Sequence, residues 1–145
     1  MGYGDPRNPR EASSEMVIGA AITVHRILGP GLLESANEAC LAHELEARGA
    51  FVERQVPLPL RYGSLDLDCG HRADLVVDRA ILVEVKAVEH VRPVHEAQLR
   101  TYLRLSGLRI GLLFHFHALT LVEGIRRVVA PSSGPSGPSS LPSSP

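Results

Sequence analysis

The chain has 145 residues, of which 44% are hydrophobic, and this suits a single domain with one modest core. Its net charge of −1 gives no general basic surface of the kind that many nucleic-acid-binding proteins carry. The sequence contains no apolar run near the roughly eighteen residues of a membrane span and no signal-peptide stretch at its start, so we expect a cytoplasmic protein that does not contact membranes.

Two helices are predicted at the start of the folded region, which we place at residues 13–130, after a flexible segment of residues 1–12. Ser13 or Ser14 can cap the first helix, and the Gly-Pro-Gly sequence at residues 29–31 ends it. Its inward face is predicted to carry Val17, Ala21, Val24 and Leu28. The second helix covers residues 32–49, and its predicted inward residues are Leu33, Ala36, Cys40 (or Leu41) and Leu45.

Alternation with a period of two follows the helices and predicts strands. The predicted strands are residues 51–62, 64–69, 71–77, 80–87, 108–116 and 124–129, with a helix at 93–107. The prolines of the first of these strands favour the edge of a sheet. The order predicts an α/β (or α+β) fold in which helices pack on one sheet.

The last segment, residues 131–145, reads PSSGPSGPSSLPSSP and carries no charge and a single leucine. A segment of this composition cannot bury enough apolar surface to offset the entropy lost on ordering. We therefore expect a disordered tail.

Three charged residues interrupt the most apolar strands, in the stretch ADLVVDRAILVEVKA at residues 73–87. Because side chains alternate along a strand, Glu84 and Lys86 share one face. A three-residue connection would place Asp74 directly opposite Glu84, with Cβ atoms roughly 4.5–5.5 Å apart. Two carboxylates this close repel one another unless a divalent cation lies between them. The alternative is a solvent-facing strand edge with ordinary charges.

Oxygen ligands that are open to water favour Mg²⁺ or Mn²⁺, and a neighbouring lysine would place positive charge beside the water that attacks a phosphate. Of the fifteen basic residues fourteen are arginine, and Lys86 is the only lysine. Gln98 and Tyr102 are four residues apart, hence on one helix face, and Glu34 follows the Gly-Pro-Gly break. Taken singly, these three suit a surface glutamine, a half-buried tyrosine and a first-turn glutamate favoured by the helix dipole.

Taken together, these features resemble the GxxExxY proteins, a bacterial and archaeal group within the PD-(D/E)XK nuclease superfamily. The similarity covers about residues 17–129 and includes the segments AAITVHRILGPGLLES, RQVPLPLRY, HRADLVV, VEVKAVE, VHEAQLRTYLRLSGLRIGLL and GIRRV. The resemblance implies a restriction-endonuclease-like αβββαβ core, in which helices flank a central mixed sheet. It also implies metal-dependent hydrolysis of phosphodiester bonds in nucleic acid.

The resemblance also assigns roles by position. It implies catalytic metal ligands at Asp74, Glu84 and the additional acidic position Glu34, a catalytic Lys86, and substrate binding by Gln98 and Tyr102 as the Q-x-x-x-Y feature of recombination-type exonucleases. The implied cofactor is Mg²⁺ (or Mn²⁺). The group's name motif would place tyrosine at position 37, where this chain has Asn37. That change affects packing or a substrate contact, whereas the proposed metal ligands are all present.

The expected function is thus metal-dependent hydrolysis of nucleic acid, with DNA as the expected partner and a homodimer as a candidate assembly. One alternative is a catalytically silent module of the same fold that binds DNA or a protein partner, because a fold alone does not guarantee activity. A hydrolase that acts on a different phosphate ester is a further alternative.

The cysteines and histidines give weaker signals. Cys40 and Cys69 have no metal-ligand spacing, and we expect both to be buried free thiols. His115 and His117 alternate in a predicted strand without an acidic or cysteine partner nearby, which favours a structural role over a metal pair.

Overall fold

The computed structural model describes residues 9–68 and 70–131, with side chains from Ser14 onward. It has three α-helices, α1 (Pro9–Leu28), α2 (Glu34–Ala47) and α3 (Pro93–Ser106), and a short 3₁₀ helix at Leu121–Gly124. The strands are β1 (Val52–Pro57), β2 (Leu60–Tyr62), β3 (Leu65–Leu67), β4 (Arg72–Val77), β5 (Ile81–Lys86), β6 (Ile110–His115) and β7 (Ile125–Val129). Residues 1–8 of the predicted flexible start and residues 132–145 of the predicted tail lie outside the described residues.

Five strands form one mixed sheet in the order β1-β4-β5-β6-β7. Strands β5 and β6 run parallel and are connected by α3, while the other neighbours in this sheet run antiparallel. Strands β2 and β3 form a separate antiparallel pair. The predicted fold class, a central mixed sheet flanked by helices, is confirmed.

Helices cover both faces of the sheet. Helices α1 and α2 pack against one face, where Leu75, Val83 and Val85 contribute to the larger core. Helix α3 packs against the other face, where Leu99 and Leu103 lie in the second core cluster. The central strands β5 and β6 are therefore buried on both sides, which accounts for their nearly continuous apolar sequences. In the part of the chain that the structure describes, no helix is both long and apolar enough to cross a membrane.

The β4–β5 hairpin has the predicted three-residue connection at residues 78–80. Its first two residues, Asp78 and Arg79, adopt left-handed φ angles of 53° and 52°. The register pairs Val77 with Ile81 and Leu75 with Val83. Continued by one residue, it places Asp74 opposite Glu84, as the spacing predicts.

The predicted start of the first helix and the predicted inward position of Leu33 are wrong. Helix α1 begins at Pro9, so Ser13 and Ser14 lie inside it, and the buried Ser14 hydroxyl accepts a hydrogen bond from Arg127 Nε at 3.2 Å. Proline suits a first helical turn because the N–H that it lacks would have no partner there. Helix α2 begins at Glu34, which leaves Leu33 as its N-cap, 76% exposed, instead of facing inward.

The predicted inward face of α2 also needs correction. Leu41 and Leu45 are buried, but Cys40 is exposed, so the prediction of a buried thiol at that position is wrong. Apolar and polar residues are not clearly separated onto two faces of this helix, so the sequence allows either Cys40 or Leu41 to face inward. Packing against the sheet selects the larger leucine. Cys69 lies outside the described residues.

The predicted strand at residues 51–62 is divided into β1 and β2. The break occurs at Leu58 and Pro59, where the Leu58 side chain turns inward and becomes buried. The Leu58 N–H donates to the carbonyl of His71 at 2.8 Å, while proline has no N–H with which to continue a ladder. Strand β1 lies at an edge of the sheet, in agreement with the proline at its end, Pro57.

Candidate active site

The candidate site lies where strands β4 and β5 separate. The ladder between them ends at the Leu75–Val83 pair. One residue further on, the Glu84 Oε2 atom accepts a hydrogen bond from the Asp74 backbone N–H at 2.9 Å. In return, the Asp74 Oδ2 atom accepts one from the Val85 N–H at 2.8 Å. Each carboxylate thus takes the place of a missing strand carbonyl, and this exchange fixes both side chains.

Burial makes this carboxylate pair unusual electrostatically. The Glu84 side chain is almost fully buried, and burial raises its pKa to about 8, with the Asp74 charge as the next cause. Burial also raises the pKa of Asp74, although the Val85 N–H opposes that increase. The charge of Lys86 lowers both pKa values but does not reverse either shift. A bound cation would lower both pKa values and so favour the ionised form of both groups.

The two carboxylates suit a small divalent cation. Each commits one oxygen to a backbone N–H, and Glu84 Oε1 accepts no hydrogen bond in the part of the chain whose side chains are described. Asp74 Oδ1 has a contact of 3.4 Å from Gln55 Nε2. Mg²⁺ and Mn²⁺ commonly bind one or two carboxylates and keep several waters. Among the described residues, no group of three or more His, Cys, Asp and Glu side chains is arranged to hold a metal ion.

Glu34 lies close to this pair but is attached differently. Its Oε2 atom accepts a hydrogen bond from the backbone N–H of Ala87 at 2.9 Å, directly after β5. Its charge is the smallest contribution to the raised pKa of Asp74. Glu34 therefore links the start of α2 to the residue that follows β5. Its role as a third metal ligand stays a prediction.

Lys86 is positioned from helix α3. Its Nζ atom donates a hydrogen bond to Gln98 Oε1 at 3.0 Å, and Gln98 Nε2 donates to the Tyr102 hydroxyl at 3.2 Å. Tyr102 is buried, and burial together with the Glu84 charge raises its pKa. The predicted spacing of four residues thus places Gln98 and Tyr102 on one face, where they form a chain that ends at Lys86.

Comparison with known protein families identifies the chain at the level of a superfamily. A family model of the PD-(D/E)XK nuclease superfamily matches residues 11–128. The chain belongs to this superfamily. Neither the curated proteins nor the solved structures gave a match. The mixed five-stranded sheet between helices is consistent with the restriction-endonuclease-like fold of PD-(D/E)XK nucleases. Membership of the narrower GxxExxY group stays a prediction.

Sequence reasoning missed two residues of this candidate site, Glu38 and Gln55. Glu38 is buried, and its charge raises the pKa values of both Asp74 and Glu84. Arg54 donates two hydrogen bonds to Glu38 Oε2, at 3.2 and 3.1 Å, and Gln55 donates one to Oε1 at 2.8 Å. Glu38 follows Glu34 by one helical turn, a spacing that could have identified it. No comparable sequence signal indicates Gln55.

Asn37 occupies the position where the name motif of the GxxExxY group has tyrosine. Its side chain is fully buried in α2, and neither the amide nitrogen nor the amide oxygen has a hydrogen-bond partner among the described residues. A buried amide without partners is destabilising. Asn37 is therefore expected to lower the stability of the fold beside the site.

The histidines near the site hold connecting segments. His115 Nε2 donates to the Val88 carbonyl, and His117 Nε2 donates to the Leu32 carbonyl at 3.0 Å. The first bond holds the β5–α3 connection and the second holds the α1–α2 connection. These contacts agree with the structural role that the sequence favours.

The stability of the metal-free protein should fall as the pH rises. The folded chain binds the Glu84 proton more tightly than the unfolded chain, since its pKa is about 8 instead of 4.5. The stabilising contribution is therefore complete below the lower value and is lost as the pH passes the higher one. The raised pKa of Asp74 acts in the same direction. We expect a loss of roughly a few kcal/mol in the free energy of unfolding.

Urea unfolding in EDTA across this pH range measures the effect. Glu84→Gln should make the free energy of unfolding much less dependent on pH, because the amide does not titrate. A parent protein whose stability stays constant over the range would show that the buried carboxyl is ionised throughout.

Asn37→Leu should stabilise the protein, because leucine has a similar size and leaves no unpaired polar atoms. The expected gain in the free energy of unfolding is about 1 kcal/mol, measured by urea denaturation. Asn37→Asp is the opposing control and should destabilise the fold by placing a charge in the same buried position. A loss of stability in Asn37→Leu would mean that the amide has partners.

Proposed function

We propose that this protein is a Mg²⁺- or Mn²⁺-dependent nuclease that hydrolyses phosphodiester bonds in nucleic acid, with DNA as the expected substrate. The observation that carries the proposal is the reciprocal bonding of Asp74 and Glu84 at the end of their ladder. That bonding holds the buried Glu84 carboxylate and the half-buried Asp74 carboxylate together beside the only lysine of the chain. Membership of the PD-(D/E)XK nuclease superfamily supports the same chemistry.

The carboxylates of Asp74 and Glu84 would hold the ion, with Glu34 as the proposed third acidic residue. When bound, the divalent ion would supply Lewis-acid activation of the phosphate and of the attacking water. The protein contributes a rigid arrangement, because both carboxylates are fastened to the main chain before the ion binds. Such preorganisation avoids the free-energy cost of ordering the ligands during the reaction.

Lys86 would stabilise the negative charge that develops on the phosphate. It lies two residues after Glu84 on the same strand face, and Gln98 holds its Nζ atom. Gln98 is half-buried, so we propose that it positions Lys86 and also contacts the substrate. Tyr102 is buried and hydrogen-bonded to Gln98, so it acts through Gln98.

The charge distribution supports a nucleic-acid partner. From Arg92 to Arg127 the chain has six basic and two acidic residues, whereas residues 1–91 have nine basic and fourteen acidic. A basic part that follows an acidic metal site suits a substrate with a phosphate backbone. Assembly as a homodimer and a cytoplasmic location stay predictions.

The purified protein should cleave DNA in Mg²⁺ or Mn²⁺ and lose activity in EDTA. Asp74→Ala and Glu84→Ala should each abolish cleavage, because each removes a proposed metal ligand. Plasmid, linear duplex, single-stranded DNA and RNA substrates, tested in parallel, measure the substrate preference.

Asp66→Ala provides a matched control, because Asp66 is an exposed carboxylate on β3 whose partner is Arg61. It should cut at the parent rate. If the Asp74 and Glu84 variants also cut at that rate, the activity comes from another site or a contaminant. If the parent protein binds DNA but does not cleave it, the alternative of a catalytically silent DNA-binding module is favoured.

Lys86→Arg should keep the fold but lower the cleavage rate by about 10²-fold or more, the scale of losing one positioned catalytic group. Lysine presents a compact charge on a flexible stem, whereas the guanidinium is a broad planar fork. The guanidinium would displace the contact to Gln98 and crowd the phosphate. Single-turnover cleavage at saturating Mg²⁺ gives the rate, and circular dichroism checks the fold.

Arg79→Lys is the reciprocal control, because Arg79 lies in the turn at the other end of the β4–β5 hairpin. This change should leave the cleavage rate unaltered. A Lys86→Arg variant that cuts as fast as the parent would show that positive charge alone suffices at position 86.

A further inference from the structure

The backbone of Gln55 departs from the strand that contains it. Strand β1 pairs with β4 through Arg54–Leu75 and Val56–Ala73, so Gln55 lies opposite Asp74 in the register. Its φ angle is 52°, in the left-handed region that residues with a side chain rarely adopt. Backbone strain of this kind persists where the surrounding structure holds it, and it is common at functional sites.

The Gln55 side chain extends between two acidic groups. Its Nε2 atom lies 2.8 Å from Glu38 Oε1 and 3.4 Å from Asp74 Oδ1. An amide nitrogen carries two hydrogens, so it can donate one to each carboxylate. Glu38 comes from α2 and Asp74 from β4, and the amide therefore links the helix to the metal-binding strand.

Glu38 and Asp74 differ in whether a charged group donates a hydrogen bond to them. Arg54 pairs with Glu38 at 3.1 Å. Asp74, by contrast, accepts hydrogen bonds only from uncharged groups in the described part of the chain, the Val85 N–H and the Gln55 amide. An uncharged donor orients a carboxylate and leaves its negative charge available to a cation, whereas a guanidinium would compete with that cation.

We propose that Gln55 is a positioning residue of the metal centre, whose left-handed backbone directs an uncharged amide onto Asp74 and Glu38 and holds Asp74 ready for a divalent cation. This inference rests on the proposed function, since it assigns Gln55 to the same metal site. Gln55 itself contacts neither the metal nor the substrate in this proposal.

The test compares two substitutions that separate the amide from the backbone strain. Gln55→Gly removes the amide and relieves the left-handed φ, while Gln55→Met keeps the length of the side chain and removes only the N–H donors. Mn²⁺ binding to the full chain is measured by isothermal titration calorimetry, and thermal unfolding is measured in EDTA. We expect both variants to bind Mn²⁺ about 10- to 100-fold more weakly than the parent.

Unfolding in EDTA shows whether the loss is merely structural. Gln55→Gly should melt at or above the parent temperature although it binds Mn²⁺ less tightly. Arg79→Gly is the matched control, since it relieves a similar φ of 52° at the far end of the hairpin and should bind Mn²⁺ like the parent. In cleavage assays, the Mn²⁺ concentration at half-maximal rate should rise in Gln55→Gly by the same factor as the Kd, with kcat at saturating Mn²⁺ much less affected.

The outcomes separate this inference from the proposed function. Parent-like Mn²⁺ affinity in Gln55→Gly and Gln55→Met would overturn the inference and leave the nuclease proposal standing. Weaker binding in both variants, in a parent that binds Mn²⁺ but cuts no nucleic acid, would support the role of Gln55 and count against the nuclease. A parent without Mn²⁺ affinity would overturn both.

Discussion

The exchange of hydrogen bonds between Asp74 and Glu84 at the point where β4 and β5 separate is the constraint on which the site depends. Each carboxylate accepts a backbone N–H from the opposite strand, at 2.9 and 2.8 Å. The exchange requires the two residues to be opposite one another, which in turn requires the three-residue turn at residues 78–80. A turn shorter by one residue would move Asp74 to the other face of the sheet.

The surrounding elements are arranged around this exchange. Helix α2 brings Glu34 and Glu38 to one side of the carboxylates, and α3 brings Gln98 to Lys86 on the other. The apolar faces of the same helices cover the sheet and exclude water from Glu84. The packing that stabilises the domain therefore also disfavours the charged form of the two carboxyl groups, because burial is the main cause of their raised pKa values. Such conflict between stability and local charge is expected at functional sites.

Much of the fold could be predicted because local patterns and tertiary packing agree there. The spacing of ten between Asp74 and Glu84 predicted that the two residues lie opposite one another in the hairpin, and the spacing of four between Gln98 and Tyr102 predicted a shared helix face. The division of residues 51–62 into two strands could not be read from alternation alone, because it depends on Leu58 turning into the core.

The rest of the site depends on contacts between distant segments. Glu38 is buried in the site because Arg54 and Gln55 come to it from β1, sixteen and seventeen residues away. The left-handed backbone of Gln55 has no sequence signature, since glycine or asparagine would normally mark such a position. The unpaired amide of Asn37 is likewise visible only once the packing of α2 is known.

The backbone of Gln55 has a further consequence for the solution behaviour of the protein. Strand β1 lies at the edge of the sheet, where a regular row of N–H and C=O groups invites another chain to add a strand. A left-handed residue in mid-strand turns these groups out of line, and Pro57 at the end of the strand has no N–H to offer. The edge beside the carboxylates is therefore a poorer template for the addition of another strand than a regular edge strand would be.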